Sequence, residues 1–450
     1  MRSSIRARLF LFAGTLSYIG CLHCLYVFYI SHTYSYIGFC YNPASSLAES
    51  LSWLMAVVPA IFIQTSCERS SYVVYLLLYV MVYIPSCLIP CYAGLLDPVD
   101  VFAVQAMLML NLFLVGMVYQ LPLLRVGHPV LNPVHFWGAI GTASLILYLL
   151  ICTYFGISFN LVALEDVYDV RSDYKQSLEQ IGSLASYAVQ WQSCVINVFL
   201  IGYGMVARKP LMLAAGVAGQ MAIYSITGFK SVLFSGLLIA GLALLMRLDR
   251  RGYGPYITWL AACLVAASGA AYWWTGSPTL PGLTNRMLIM PGMLTAQYYD
   301  FFSRNPHTWL GDSILRWFVT YPYSLPIANV IGEQYYNSSN CGANANLWAY
   351  GYASFGTPGL FIFSLLLALV MWFYDSLAEK CDPRISTFLA GTFAINITNS
   401  SLLTSLLNHG FLWASLLVYL YPHNQGGTNA VDDPRPSIAR LYRASSLSDP

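Results

Sequence analysis

Apolar runs of about twenty residues, separated by short polar joints, fill most of this 450-residue chain. Such a run gives an α-helix the length it needs to cross bilayer hydrocarbon at about 1.5 Å per residue. Taken in order, the runs predict twelve helices, at approximately 9–30, 50–66, 71–92, 101–120, 135–157, 183–206, 211–226, 232–246, 255–274, 348–374, 385–402 and 406–421. The first is too long for a signal-peptide core and has no small-residue cleavage pattern, so it is expected to stay as a span. Two polar intervals are longer than a joint. The larger, 275–347, is expected to emerge on one face as a folded cap. The smaller, 159–182, mixes acids with Arg171 and Lys175 and suits either a short exposed helix or a solvated ion-pair surface. Residues 1–421 therefore read as one transmembrane domain. Residues 422–450, rich in Ser, Pro, Asp and Arg, read as a disordered tail.

Composition sharpens this to an all-α polytopic membrane protein, since 58% of residues are hydrophobic and 9% charged, where soluble domains carry roughly 25%. The net charge of +2 comes from scattered residues, which gives no basis for a nucleic-acid groove. Threading the basic residues through twelve crossings puts fifteen of the 21 Lys and Arg on the face that holds both termini. The positive-inside rule makes that face cytoplasmic and sets the 275–347 cap outside. Most of the eleven cysteines lie in apolar runs, as small hydrophobes. Cys21 and Cys24 form a C-x-x-C without a second pair, and Cys40 and Cys341, both in outer loops, are candidates for a disulfide.

Six basic residues remain on the outer face, against the topological bias, and they become the functional candidates. The cap gathers Arg286, Arg304 and Arg316 beside Asp300, His307 and Glu333, among Tyr298, Tyr299, Trp309, Tyr335 and Tyr336. Guanidinium groups and aromatic rings at the water boundary suit an anionic, sugar-bearing lipid. No phosphate-binding glycine loop, dinucleotide fingerprint or H-E-x-x-H is present, and the first outer loop, 31–49, lacks paired acids, so metal-free chemistry without a cofactor is expected. A departing diphosphate would then need cationic side chains, and Arg286, Lys230 and Arg171 come from three separate outer segments, as a converging clamp requires. Candidates for accepting the proton of an attacking hydroxyl are Asp300, His307, Glu333 and His409; Asp300 sits in YYDFF, where rings could desolvate it.

Each candidate has a plainer reading. Arg304 and Arg316 could solvate a surface, and Lys230, between two closely spaced spans, could snorkel to the interface or point into a cavity. Tyr298 and Tyr299 could stack on sugars or anchor the membrane interface. Asn344 and Asn346 could cap a helix or touch a sugar, and a lone His409 is more often structural. Gly351, Gly356 and Gly359 would allow close helix approach, and the polar run 396–401 should face into the bundle.

The stretches TGFKSVLF (227–234), NRMLIMPG with QYYDFF (285–302) and NANLWAYGYASFGTPGL (344–360) resemble the bacterial O-antigen polymerase family, also called Wzy or oligosaccharide repeat-unit polymerases. The resemblance covers the seventh to tenth spans with the cap. It implies a fold of the GT-C glycosyltransferase type, with a large periplasmic loop between helices 9 and 10, in the bacterial inner membrane. It also implies a metal-independent inverting enzyme that moves a growing glycan from one undecaprenyl diphosphate onto the non-reducing end of another lipid-linked repeat unit. A polysaccharide chain-length regulator and a flippase become expected partners. The family's basic residue after a glycine turn falls at Lys230, its arginine before Pro-Gly at Arg286, its Tyr-Tyr-Asp at 298–300, and its small-residue helix after Asn at 344–359. The chain departs from the family at Tyr350, where relatives often carry a polar or acidic residue. An O-antigen ligase is the nearest alternative, although the surroundings of His307 do not match a ligase motif. A lipid-linked oligosaccharide flippase is the alternative from another class, although its charges should sit at mid-membrane rather than in outer loops.

Overall fold

The computed structural model describes residues 2–156, 174, 177, 183–250 and 252–422, and all regular structure among them is helical. Nine helices among these residues are long and apolar enough to cross a membrane. They are α1 (Ile5–Thr33), α3 (Tyr72–Ala93), α4 (Pro98–Gln120), α5 (Pro133–Phe155), α6 (Leu184–Val206), α7 (Pro210–Thr227), α8 (Lys230–Leu248), α9 (Gly254–Thr275) and α13 (Thr357–Leu377). The other helices are α2 (Ser46–Phe62), α10 (279–304), α11 (Ile327–Tyr336), α12 (Leu347–Phe355), α14 (Pro383–Ile397), α15 (Leu402–Leu407) and α16 (Phe411–Tyr419). The molecule is thus an all-α multi-pass membrane protein. Three of the twelve expected spans fall short of spanning length. The helix in 50–66 bends at Pro59, that in 385–402 stops at Ile397, and 406–421 is split at 408–410.

Helix α3 is the axis, buried along its whole length. It is apolar on every side, which a helix tolerates only when neighbours surround it. Its tyrosines repair the backbone of α2: Pro59 has no N–H to give Met55, and the Tyr83 hydroxyl donates to that carbonyl at 2.8 Å. Tyr79 does the same for Ala56 at 2.9 Å. At the start of α3, Asp375 of α13 accepts from the Ser71 N–H (2.9 Å) and the Ser71 hydroxyl (2.7 Å). A buried carboxylate thereby caps a helix N-terminus from a different helix. The sequence reading passed over Asp375, which stands alone inside an apolar run.

The contacts fix which helix ends share a face. Phe10 stacks on Trp259 near the starts of α1 and α9, Gly254 at the start of α9 lies against Leu76 in the first turns of α3, and Tyr119 at the end of α4 bonds Ser71 at the start of α3. Tyr419 donates to Gly127 O, between α4 and α5. The beginning of α1 and the end of α16 therefore lie on one face, here the terminal face. The opposite face holds Thr33, Ala93, Thr275 and the start of α13; it is here called the site face.

The 275–347 interval does not simply sit above this face. Helix α10 runs beside the second half of α3, so close that a Cβ on Gly292 would lie 2.4 Å from Pro85 O. Ser86 of α3 donates to Thr295 of α10 at 3.0 Å. The expected single span 348–374 is instead two helices. Gly356, at φ +66°, reverses the chain, so that α12 folds back along α13: Trp348 Nε1 donates to Ser364 Oγ at 2.8 Å, and a Cβ on Gly359 would lie 1.9 Å from Gly351 O. The close approach expected of these glycines is present, made by α12 on α13. Ser364 lies seven residues into α13, so α12 begins roughly 10 Å below its top. The irregular segment 341–346 descends to that depth beside α13, a path that the sequence did not suggest. Irregular backbone is tolerated there because protein surrounds it.

Candidate functional site

Three elements of the interval, α10, α11 and α12, bring most of the expected residues together on the site face. Along α10 the positions 290, 297, 300 and 304 recur at helical spacing, and Tyr335 and Tyr336 at the end of α11 lie over them. Tyr336 donates to Gln297 Oε1 at 2.9 Å and touches Met290 Sδ at 3.8 Å. Tyr335 donates to Asp300 Oδ2 at 2.6 Å, and Arg304 holds Asp300 Oδ1 at 2.9 Å. The short phenol bond is the stronger of the two; the Arg304 side chain is 75% exposed and its ion pair is correspondingly weak.

Arg286 lies on a π-turn, 285–289, that interrupts α10. Its side chain is exposed, near enough to Tyr336 for its charge to act on that hydroxyl. Burial pushes the Tyr336 hydroxyl up to about 12, while the Gln297 bond and the Arg286 charge work against it. For Tyr335, burial and the Asp300 carboxylate both push the pKa up, so the proton stays on the phenol and Asp300 accepts. One continuous polar strip results, from Arg286 past Tyr336 and Gln297 to Asp300, Tyr335 and Arg304.

The remaining candidates are partly absorbed by structure. Tyr298 is fully buried and donates to Ala343 O at 2.9 Å, pinning the descending segment. Tyr299 lies against Tyr352, with ring centres 4.9 Å apart, and donates to Asp100 Oδ1 at 3.3 Å. Asn346, fully buried, caps α12 through Trp348 and Ala349 N–H and donates to Thr295 Oγ1 at 2.8 Å. Of the two roles open to it, the cap is the one it occupies. Asn344 is half-buried and accepts from the Tyr350 hydroxyl at 3.4 Å. His307 is half-buried between Phe302 and Tyr352, and burial lowers its pKa. Glu333 is exposed.

Two candidates belong to other parts of the molecule. Lys230 opens α8, half-buried, beside a separate cluster that includes Phe155, Tyr174, Tyr224 and Phe229. His409, between α15 and α16, has its Nδ1 3.1 Å from Gln190 Oε1. Arg171 lies outside the described residues. The polar run 396–401 does turn inward in part, with Thr398 buried and Asn396 reaching Cys194 Sγ at 3.7 Å. Cys40 and Cys341 do not pair; both are free thiols, and Cys40 Sγ donates to Ala93 O at 3.1 Å.

Sequence reasoning missed the tyrosine lid as a unit and the π-turn that carries Arg286. The 290/297/300/304 spacing was available in the sequence, but the partner helix that covers it was not. Compared with protein-family models, with curated proteins and with solved structures, the chain matches none.

Proposed function

We propose that this chain is a metal-independent inverting glycosyltransferase that extends a glycan carried on undecaprenyl diphosphate, in the manner of an O-antigen repeat-unit polymerase, at the periplasmic face of a bacterial inner membrane. The observation that carries the reading is the polar strip of α10, which offers two guanidinium groups and a carboxylate, with phenols between them, beside a segment that re-enters a membrane bundle. The distribution of basic residues supports the orientation. Arg69, Arg125, Arg208, Lys209, Arg250 and Arg384 are among those at the terminal face, which the positive-inside rule makes cytoplasmic.

In this reading the acceptor hydroxyl oxygen attacks the anomeric carbon of the donor sugar from the side opposite the diphosphate. The new C–O bond forms as the bond from that carbon to the diphosphate oxygen breaks, and its electron pair leaves with undecaprenyl diphosphate. Arg286 neutralises the developing charge, with Lys230 and Arg171 as further cations if the substrate spans their segments. Asp300 takes the hydroxyl proton. Its two present bonds leave lone pairs free for a third donor, and Tyr335 with Arg304 holds it in place. The half-buried rings of Tyr335 and Tyr336 line the strip and provide edges and faces for sugar. Chain-length regulator and flippase would be its partners.

Reconstituted with lipid-linked repeat units, the purified protein should convert them into a ladder of longer glycans. A preparation that leaves single units unlengthened, yet transfers them to lipid A core or moves them across the bilayer, would assign it instead as a ligase or a flippase.

A further inference from the structure

The loop between α10 and α11 carries a surface that the proposed chemistry does not use. Thr308 N donates to Ala353 O (2.9 Å) and Trp309 N to Ser354 O (3.0 Å), so the loop is bonded to the last turn of α12. Those carbonyls have no partner within their own helix, and the loop supplies one. The attachment point is one residue pair from Gly356, where α13 begins its membrane-length run, so the loop hangs at the level where that helix enters the bundle surface. Trp309 and Leu310 both adopt left-handed backbone, φ 53° and 57°, which residues with a Cβ rarely do. The two bonds and the Trp309 ring, edge-on to Phe355 at 5.6 Å, hold that conformation.

The bend throws the next turn outward. Ile314 is 51% exposed, Trp317 80% and Phe318 85%, and the Arg316 guanidinium lies 5.0 Å from the Trp317 ring centre. Just past the attachment point, the first turns of α13 expose the apolar side chains of Phe361, Ile362 and Leu365. On the same face, the end of α9 exposes Trp273 and Trp274 almost completely. Indole rings with an arginine, at the level where spanning helices begin, match the boundary between headgroups and acyl chains. Trp favours that zone, and Arg pairs with phosphate there.

We propose that residues 309–319 form an interfacial anchor. Ile314, Trp317 and Phe318 seat in the phospholipid leaflet on the site face, and Arg316 pairs with a lipid phosphate. The anchor would steady α10 and α11 against α13 from the lipid side. The partner is phospholipid rather than protein because the exposed tip 314–318 is apolar except for Arg316, whose charge is opposite to that of a phosphate, while the loop's one acid, Asp312, lies at its base near Tyr321 and Tyr350.

The test uses the full chain carrying fluorinated tryptophan, reconstituted in phosphatidylcholine–phosphatidylglycerol nanodiscs, with the Trp317 resonance identified by its loss in Trp317→Phe. A lipid spin-labelled near the glycerol end of its acyl chain should broaden this resonance, and a water-soluble gadolinium chelate should not. Broadening by the chelate with no effect of the labelled lipid would overturn the anchor in favour of a solvent-exposed loop. Protection from both would also overturn it, in favour of cover by a second copy or another protein. The Trp273 resonance, found likewise with Trp273→Phe, gives an internal reference for interfacial depth.

Discussion

At the scale of single residues, the Tyr335–Asp300–Arg304 arrangement separates what holds the carboxylate from what it could do. Tyr335→Phe removes the 2.6 Å bond but leaves the ring in place, so Asp300 stays and loses its fixed direction. Turnover should fall by about tenfold with little change in substrate affinity, as expected for lost positioning. Asp300→Asn should lower turnover further, by about 10²-fold or more, if the carboxylate takes a proton. Extension kinetics at matched protein levels check both. His307 gives a pH signature of a different kind. Its pKa is lower in the folded chain than its ordinary 6.5, mainly through burial. The unfolded chain therefore binds more protons as pH falls through that ordinary value, and stability present above about 6.5 declines below it. Thermal unfolding in detergent between about pH 7.5 and 5 should show this loss, and His307→Phe should reduce it.

At the scale of elements, the central helix and the hairpin behind the site are held by groups that can be removed one at a time. Asp375→Ala leaves the Ser71 N–H and hydroxyl without their acceptor inside a buried junction of α3, α4 and α13. It should destabilise the protein by about 2–5 kcal/mol, whereas Asp375→Asn, which keeps one acceptor, should cost less. Gly356→Ala puts a Cβ on backbone at φ +66° and ψ −148°, a region open essentially to glycine alone, at a cost of about 1–3 kcal/mol by conformation. The added atom would also stand 3.0 Å from His307 Nε2, so the variant should weaken the α12–α13 reversal and the His307 pocket together. Denaturation of each purified variant measures these costs.

These elements also mark where the sequence could be read and where it could not. Prolines at the first helical position, as at Pro98, Pro133 and Pro210, set helix starts that agree closely with the expected ones. The reversal at Gly356 was hidden because apolar residues continue on both sides of it, and one glycine in such a run reads equally as a packing site. Asn344 and Asn346 left two readings open, a helix cap or a sugar contact; Asn346 spends its amide on a helix start and on Thr295, and the choice could not be made in advance because a buried polar group looks the same in sequence as a solvated one. The strip on α10 was half legible: residue types and spacing were visible, but the cover of Tyr335 and Tyr336 depends on a helix some thirty residues away.

For the whole molecule, the two faces carry different chemistry. The terminal face collects most of the described basic residues, and the site face holds the tyrosine-rich interval with Arg286, Arg304 and Arg316. The proposed orientation predicts that a membrane-impermeant thiol reagent added to intact spheroplasts will label Arg304→Cys, and will label Arg250→Cys only after lysis. The bundle around α3 provides the rigid wall against which α10 is set. Lys230 and His409 belong to a second region, built on α5 to α8 and on α15 and α16. A substrate large enough to carry two glycans would have to reach from one region to the other, and Lys230 at the start of α8 is the point at which that reach is open to test.

The most direct test of the central claim is the initial rate of glycan extension by reconstituted wild-type protein and by Arg286→Ala, each with and without a chelator of divalent metals. The account predicts that the wild-type rate is indifferent to the chelator and that Arg286→Ala is slower by about 10²–10³-fold, the usual cost of losing one preorganised contact to a developing negative charge. A wild-type rate abolished by the chelator, or an Arg286→Ala rate equal to the wild type's, would contradict it.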